Sequence, residues 1–285
     1  MKPKIEEVSF HGLEALRLTG PQGAQAVVSL LGGQVLSWVP AAGRERLYLS
    51  ERAVFDGSAP IRGGIPVCFP QFAGQGSLPK HGFVRTKPWH VAAQRCGDEY
   101  ALLTLATDDD AATHTLWSHS FDLELTIMLE ADSLDLELGI SNNGEEALTF
   151  TGALHTYLHV DDVATAQLAG LRGVAYRDSA NQGCEGREQA EMLTCAAEID
   201  RIYLGASRPL RLTSGEAKLG IAQDGFADVV VWNPWAEKCA ALPDMPTDGW
   251  RQMLCVEAAV ASTPLTVRPG EEWYGRQKLF VDRGV

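Results

Sequence analysis

The chain has 285 residues, of which 45% are hydrophobic and 21% charged, a composition that allows a buried core and shows no bias toward disorder. Its formal net charge of -13 disfavours nucleic acid and anionic membranes as partners. No apolar stretch approaches the ~20 residues of a membrane-spanning helix, and the amino terminus has no signal-peptide pattern. The six cysteines form no Cys-x-x-Cys pair, so we expect a cytoplasmic protein with reduced thiols.

Short strand-like segments recur along the whole chain, whereas helical periodicity is weak throughout. In chain order, these segments are 26–31, 100–107, 121–129, 134–140, 147–159, 229–232, 253–260 and 273–281. No internal repeat and no Gly/Ser linker interrupts them, so we expect one domain spanning residues 1–285. This density of short strands predicts an all-β fold, a large antiparallel β-sandwich.

The clearest pattern is a strict alternation of apolar and polar residues in segments 121–129 and 134–140. In the first, Phe121 and Leu123 alternate with Asp122 and Glu124, and the second repeats the pattern. Period-2 alternation is typical of strands with one buried face. The short connection around Ser133 predicts that the two strands form a hairpin.

An irregular segment, 61–85, carries the first group of candidate functional residues. Glycines and prolines dominate it, and Arg62, His81 and Arg85 lie among them. Arginines on such a loop are suited to binding an anion, because the guanidinium offers a planar pair of donors. The alternative is a structural loop with solvated cations.

The second candidate segment is the strand 147–159. Counting with period 2 places His155, Tyr157 and His159 on one polar, aromatic face that suits a sugar. The alternative is that these histidines are hydrogen-bonded structural residues. His155 and His159 have a spacing that chelates zinc on a helix, but a strand separates them by ~13 Å.

The third candidate is Glu257, a carboxylate in the middle of the apolar segment 253–260. A lone buried carboxylate is costly, so it needs a partner or a function. Desolvation raises the pKa of such a group toward the range of a general base. A structural glutamate paired with an arginine is the alternative.

Several motifs, in this order and spacing, resemble those of the glucose-6-phosphate 1-epimerase family within the aldose 1-epimerase superfamily. They are Ile61-Arg-Gly-Gly-Ile-Pro-Val-Cys-Phe-Pro-Gln-Phe72, Lys80-His-Gly-Phe-Val-Arg85, Gly152-Ala-Leu-His-Thr-Tyr157, Asp200-Arg-Ile-Tyr203, Trp232-Asn-Pro-Trp235 and Cys255-Val-Glu-Ala-Ala259. Weaker similarity extends from residue 32 to residue 273, so the resemblance covers most of the chain.

This resemblance implies a single sandwich of the galactose-mutarotase type and a mutarotation that needs neither cofactor nor metal. It implies that Glu257 is the general base and His155 the general acid in exchanging the anomers of glucose 6-phosphate. It assigns to the substrate a further set of polar residues: His81 near the ring oxygen or O1, Arg62 and Arg85 near the 6-phosphate, Asp200 near the sugar hydroxyls, and Gln71.

Three other interpretations fit the same residues. A non-catalytic carbohydrate-binding sandwich uses the same arginines and tryptophans, but it has no use for a buried Glu257. A mutarotase of free aldoses differs only at the phosphate site. A metal-dependent enzyme built on His81, His155, His159 and Glu257 predicts bound metal. We expect a monomer that acts on a small sugar phosphate and has no nucleic-acid or membrane partner.

Overall fold

β-Strands dominate the computed structural model, which describes residues 2–41 and 43–282. The strands in these ranges are β1 Lys4–Phe10, β2 Leu13–Thr19, β3 Gln25–Ser29, β4 Val35–Val39, β5 Val67–Cys68, β6 His90–Cys96, β7 Ala101–Asp108, β8 Phe121–Leu129, β9 Ser133–Asn142, β10 Leu148–Leu154, β11 Tyr157–His159, β12 Gln167–Ala169, β13 Ala175–Asp178, β14 Cys184–Arg187, β15 Met192–Leu193, β16 Ile199–Tyr203, β17 Leu210–Ser214, β18 Ala217–Asp224, β19 Asp228–Asn233, β20 Met253–Val267 and β21 Glu272–Val281. The predicted domain limits, residues 1 and 285, lie outside the described ranges.

Helices are few and short in the same part of the chain. The α-helices are α1 Ala111–Leu116 and α2 Trp235–Ala240, and 3-10 turns occur at Pro21–Gly23, Val84–Thr86, Ser179–Asn181 and Gly249–Gln252. Among the described residues, none of these helices has the length and apolar character needed to cross a bilayer.

Three sheets contain the strands. Their orders are β1-β2-β3-β4, then β14-β13-β16-β19-β20-β10-β5 with β11 also paired to β20, and β15-β12-β17-β18-β21-β9-β8-β7-β6. Every pairing between these named strands is antiparallel. The prediction of a large, antiparallel all-β protein is therefore confirmed.

The predicted hairpin is confirmed as β8 and β9, with Leu125 opposite Leu138 and Leu129 opposite Leu134. Its alternating leucines enter one hydrophobic core that also contains Leu254 of the second large sheet. Side chains at every second position of a strand share a face, so the two large sheets bury their apolar faces against each other. This packing makes the fold a sandwich.

The predicted strand 147–159 is wrong in one respect, because it consists of two strands separated by His155 and Thr156. The Thr156 amide donates to the carbonyl of Leu154, and its hydroxyl donates to Gln277 on the opposite sheet. These bonds interrupt the strand without reversing the chain, so that β10 ends at Leu154, β11 starts at Tyr157, and both pair with β20. Period-2 counting nevertheless holds across the interruption, because Leu154 pairs with Ala258 and Tyr157 with Cys255 in one continuous register along β20.

Strand β20 is central to the second large sheet. Val256 and Ala258 face the core between the large sheets, whereas Ala259 packs with Cys68 and Phe72 in a separate cluster. Glu257 and Ala259 are two residues apart on the strand and therefore lie on the same face, so Glu257 points away from the main core. Val230 of β19 lies directly opposite Glu257 in the register. This face of the sheet carries the candidate site.

Candidate active site

A cavity of about 260 Å³ lies over this face of β20, and we call it the Glu257 cleft. It brings together most of the residues that the sequence singled out. The predicted residues that line it are Arg62, His81, His155, Asp200 and Glu257. They come from separate strands and loops, so only the fold places them together.

Glu257 lies at the floor of the cleft and is only 1% exposed. Its Oε2 atom is buried and has no hydrogen-bond partner. Burial, reinforced by the negative charge of Asp200, raises the pKa of Glu257 well above its ordinary value, against the opposing charge of Lys80. No arginine pairs with this carboxylate among the described ion pairs, which argues against the structural alternative.

His155 is the immediate neighbour of this carboxylate, with Nε2 3.4 Å from Glu257 Oε1. Its ring stacks on Tyr157 at 4.7 Å and meets the edge of Trp232, which fixes the plane of the imidazole. Burial, and then the charges of His81 and Arg62, lower the pKa of His155 well below its ordinary value. The two groups therefore form a buried pair that favours a net-neutral state with one shared proton.

His81 forms one wall of the cleft, with its ring 5.2 Å from that of His155. The Ala73 amide donates to its Nδ1, which therefore carries no proton, so neutral His81 bears its proton on Nε2. Burial lowers the pKa of His81 to about 3, with smaller effects from Arg85 and Lys80. His81 is thus a neutral hydrogen-bonding group at physiological pH.

The backbone next to His81 passes unusually close to the backbone of Phe69. His81 has a φ of 65° and Gly82 a φ of 70°, both in the left-handed region. A Cβ at position 82 would lie 1.9 Å from the carbonyl oxygen of Phe69. Only glycine fits there, which explains the His-Gly sequence in the motif.

Arg62 lines the cleft but is already engaged. Its Nε and Nη2 atoms lie 3.1 and 3.0 Å from Asp244 Oδ2, and Nη1 donates to the Tyr157 hydroxyl at 3.0 Å. Because Tyr157 stacks on His155, Arg62 also anchors the platform of the imidazole. Part of its donor capacity remains available, since a guanidinium has five N–H groups.

The cleft is also lined by two lysines that were not predicted from the sequence as site residues. Lys80 is exposed and precedes His81, and Lys238 comes from helix α2. Lys238 Nζ lies 2.7 Å from Glu198 and 3.9 Å from Asp200. Burial raises the pKa of Asp200, and the charges of Lys238 and Lys80 oppose that rise. These lysines supply positive charge at the mouth of a cleft whose floor is acidic.

Two predicted substrate residues do not line the cleft. Arg85 donates from Nη2 to the carbonyl of Lys80, so it braces the loop that carries Lys80 and His81. Gln71 is 4% exposed, donates to the carbonyls of Ala73 and Leu78, and accepts from the Leu78 amide. Its side-chain amide holds the loop after the first motif. Sequence position alone could not separate residues that line the cleft from those that shape its loops.

The set of histidines proposed for a metal-dependent enzyme does not assemble. His159 lies in a different cavity of about 720 Å³, together with Tyr48, Asp162 and Arg251, which we call the Tyr48 cavity. The metal-ligating atoms that do converge within the described residues belong to His155, Cys255 and Glu257. Cys255 was missed because a buried cysteine in an apolar strand has the pattern of an ordinary core residue.

Comparison with known proteins places this geometry in a family. Residues 14–279 match the family model described as aldose 1-epimerase. The chain belongs to the aldose 1-epimerase family. The resemblance seen in the motifs is therefore confirmed.

Individual relatives span nearly the whole chain. A protein of Cenchrus ciliaris named "Putative glucose-6-phosphate 1-epimerase" is 34% identical over 94% of this chain and 84% of its own length. A Salmonella typhimurium protein of the same name is 32% identical over 93% of this chain and 89% of its own length.

Solved structures of other proteins share this fold. The crystal structure of "a putative mutarotase (YeaD)" from Salmonella typhimurium superposes with a TM-score of 0.90 at 28% identity, covering 98% of this chain and 94% of that one. A galactose mutarotase-like protein of Clostridium acetobutylicum gives a TM-score of 0.79 at 17% identity, covering 99% of both chains. The predicted galactose-mutarotase type of sandwich is thereby confirmed.

Proposed function

We propose that this aldose 1-epimerase family member is a hexose-6-phosphate mutarotase that interconverts the α and β anomers of glucose 6-phosphate and related sugars. The observation that carries the proposal is the buried pair of Glu257 and His155, 3.4 Å apart at the floor of a sugar-sized cleft. The names of the relatives point to the same substrate.

Anomer exchange requires a base for the O1 hydroxyl and an acid for the ring oxygen. Both oxygens are bonded to C1, so adjacent acid and base groups can reach them together. We assign Glu257 as the base and His155 as the acid, because the two side chains lie side by side and line the same cleft. A binding module without turnover has no need for such a pair.

The protonation states of the pair give a complete cycle. Before reaction, the pair is net neutral and holds one proton, because burial disfavours both charged forms. Transfer of that proton from Glu257 to His155 gives a carboxylate and an imidazolium. The carboxylate then takes the O1 proton, the imidazolium protonates the ring oxygen, and the C1–ring oxygen bond breaks to give the aldehyde.

Rotation about the C1–C2 bond of the open chain exposes the other face of the aldehyde. Ring closure then reverses both proton transfers and forms the other anomer. The protein starts and ends with the same number of protons, so the two side chains suffice for the chemistry. Neutral His81, with its proton on Nε2, can donate a hydrogen bond to O1 or to the ring oxygen.

We propose that Arg62, Lys80 and Arg85 together attract the 6-phosphate. The charges of all three lower the pKa of His81, which forms one wall of the cleft, so their positive potential reaches that wall. Arg62 is partly neutralised by Asp244, Arg85 is engaged with the loop, and Lys238 is paired with Glu198. Among the described residues, this leaves Lys80 as the exposed cation that lines the cleft without an ion pair. Asp200 and Trp232 are suited to the sugar hydroxyls and ring face.

The domain organisation, oligomeric state and compartment of the protein are also proposals. We propose a single domain over residues 1–285 that works as a cytoplasmic monomer on a small-molecule substrate. The net charge of -13 supports the absence of a nucleic-acid partner, because it repels the phosphate backbone. Sedimentation velocity at micromolar concentration tests the monomer directly.

The test is the rate at which freshly dissolved α-glucose 6-phosphate reaches anomeric equilibrium, followed by NMR beside free glucose. The proposal predicts strong acceleration for both sugars and a larger kcat/KM for the phosphorylated one. Equal acceleration of the two sugars would instead make the protein a free-aldose mutarotase. Binding without acceleration would overturn the catalytic proposal and leave a carbohydrate-binding sandwich.

A further inference from the structure

Three side chains of different chemistry meet beside the Glu257 cleft: His155 and Glu257 line it, and the buried Cys255 lies next to them. One ligand atom each of His155, Cys255 and Glu257 lies within 4.8 Å of the other two, and all three residues are buried. The acid–base mechanism uses the imidazole and the carboxylate but not the thiol. The position of Cys255 therefore calls for a separate explanation.

Strand pairing fixes all three positions. Cys255 and Glu257 are two residues apart on β20, so their side chains lie on the same face. Tyr157 lies opposite Cys255 and Leu154 opposite Ala258, so the interruption that contains His155 faces the same stretch of β20. The convergence of the three donors is consequently a property of the backbone and not of flexible surface side chains.

The donor set matches one class of metal ion. Thiolate and imidazole ligands with one carboxylate suit zinc and similar borderline ions, whereas magnesium and calcium take oxygen ligands. Bonds of about 2.0–2.3 Å place neighbouring ligand atoms on a tetrahedral zinc roughly 3.3–3.6 Å apart. The His155 Nε2 to Glu257 Oε1 distance of 3.4 Å already satisfies this spacing.

A second observation points to a cation at the same place. Glu257 is 1% exposed, lines the cleft, and its Oε2 is buried without a hydrogen-bond partner. Once it releases its proton, a buried carboxylate without compensation attracts a positive charge strongly. An ion held there by three protein ligands keeps its fourth position open toward the cleft, where water or substrate can bind.

We propose that His155, Cys255 and Glu257 form a binding site for a zinc-like divalent ion, and that the bound ion inhibits anomer exchange. Metal binding depends only on the side chains, whereas inhibition rests on the proposed function. An ion coordinated by Glu257 and His155 occupies the lone pairs that proton transfer needs. When the ion binds, the thiol of Cys255 and the protonated carboxyl of Glu257 each release one proton to solvent.

His155 Nδ1 is buried and has no hydrogen-bond partner, so no outer hydrogen bond strengthens the imidazole as a metal ligand. Such outer partners strengthen metal sites by about 10–100-fold. We therefore expect an exchangeable inhibitory ion and not a permanent structural one.

The experiment uses the full chain after chelator treatment and titrates it with Co²⁺, which reports thiolate ligation by a near-ultraviolet charge-transfer band. In parallel, Zn²⁺ is titrated into the anomer-exchange assay. The variants are Cys255→Ser and, as a matched control, Cys195→Ser, another buried cysteine that lies outside the cluster. Glu257→Gln provides a second ligand variant for the Co²⁺ titration.

We expect the wild type and Cys195→Ser to show the cobalt band and inhibition by Zn²⁺. We expect Cys255→Ser to keep its basal exchange rate, lose the band, and require at least about 10-fold more Zn²⁺ for inhibition. If Cys255→Ser does not fold, the metal site is tested with Glu257→Gln, which we expect to bind Co²⁺ more weakly than the wild type.

A cobalt band that persists in Cys255→Ser, or no band in the wild type, overturns the metal site. Unchanged zinc inhibition in a folded Cys255→Ser overturns the proposed coupling to activity. A band that is lost in Cys255→Ser in a protein without any anomer exchange supports the metal site and refutes the proposed function, so the two failures are distinguishable.

Discussion

The Glu257 cleft and the Tyr48 cavity differ in a way that volume does not reveal. The Tyr48 cavity is the larger, about 720 Å³ against about 260 Å³. Three of the five carboxylates that line it, those of Glu45, Asp161 and Asp162, are however compensated by neighbours. Glu45 accepts from the Ser37 hydroxyl and the Trp38 amide, and Asp162 pairs with Arg251 at 3.2 Å.

In the Glu257 cleft the opposite holds. Glu257 is more deeply buried than any of those carboxylates and keeps one oxygen without a partner, while an imidazole faces the other oxygen. Burial without compensation costs stability, so it marks a place where function outweighs stability. The comparison teaches that the state of the ionisable groups, and not the size of a cavity, identifies the reacting site.

The largest expected effect is a difference in kcat between substitutions of the two histidines of segment 147–159. His155→Asn should lower kcat for anomer exchange by about 10²–10⁴-fold, because it removes the group assigned to protonate the ring oxygen. His159→Asn, in the Tyr48 cavity, should change kcat by less than about twofold. Exchange rates measured by NMR under saturating substrate check this. Similar losses in both variants would refute the distinction between the two cavities.

The next largest effect is on KM and tests which residue binds the 6-phosphate. Lys80→Met should raise KM for glucose 6-phosphate about 10-fold with little change in kcat, since the phosphate is remote from C1 and its contacts are the same in the transition state. Arg251→Met in the Tyr48 cavity should leave KM unchanged. Initial rates over a range of both sugars provide the measurement. A fall confined to kcat in Lys80→Met would contradict the assignment.

The pH dependence should follow the coupled pair. We expect a bell-shaped kcat/KM profile, because activity fails when the pair gains a second proton in acid or loses its only proton in base. The charge of Asp200 raises the pKa of Glu257, so Asp200→Asn should move the alkaline limb toward lower pH. An alkaline limb that moves to higher pH, or stays in place, would show that Glu257 does not control it.

The smallest effect is on stability. Because the pKa of Glu257 is raised in the fold, the unfolded state binds fewer protons above its carboxyl pKa, and the wild type loses stability as pH rises toward the folded value. Glu257→Gln should thus stabilise the protein on the order of 1 kcal/mol, roughly 2–4 °C in melting temperature, at pH 8. The gain should vanish near pH 4, and a constant gain at both pH values would contradict the linkage.

Most of the fold could be predicted from the sequence because alternation directly reflects burial. The alternating leucines of β8 and β9 predicted the hairpin that these two strands form. Glu257 was conspicuous as a polar residue in an apolar strand. The interruption at Thr156 could not be predicted, because it depends on a hydrogen bond to Gln277, which is distant in sequence.

The candidate site was predicted unevenly for a similar physical reason. Residue chemistry and motif resemblance indicated His155 and Glu257, which do face each other. They could not show that Arg62 is committed to Asp244 or that Gln71 braces a loop, since both facts depend on tertiary contacts. Lys80 was overlooked beside the more conspicuous arginines, although it directly precedes His81 in the motif.

The most direct test of the central claim compares two carboxylate-to-amide substitutions, Glu257→Gln in the cleft and Asp162→Asn in the Tyr48 cavity. Exchange spectroscopy of the anomers of glucose 6-phosphate gives the rate for each variant and the wild type. The account predicts a loss of at least about 100-fold in Glu257→Gln and less than twofold in Asp162→Asn. A folded Glu257→Gln that keeps the wild-type rate would contradict the account.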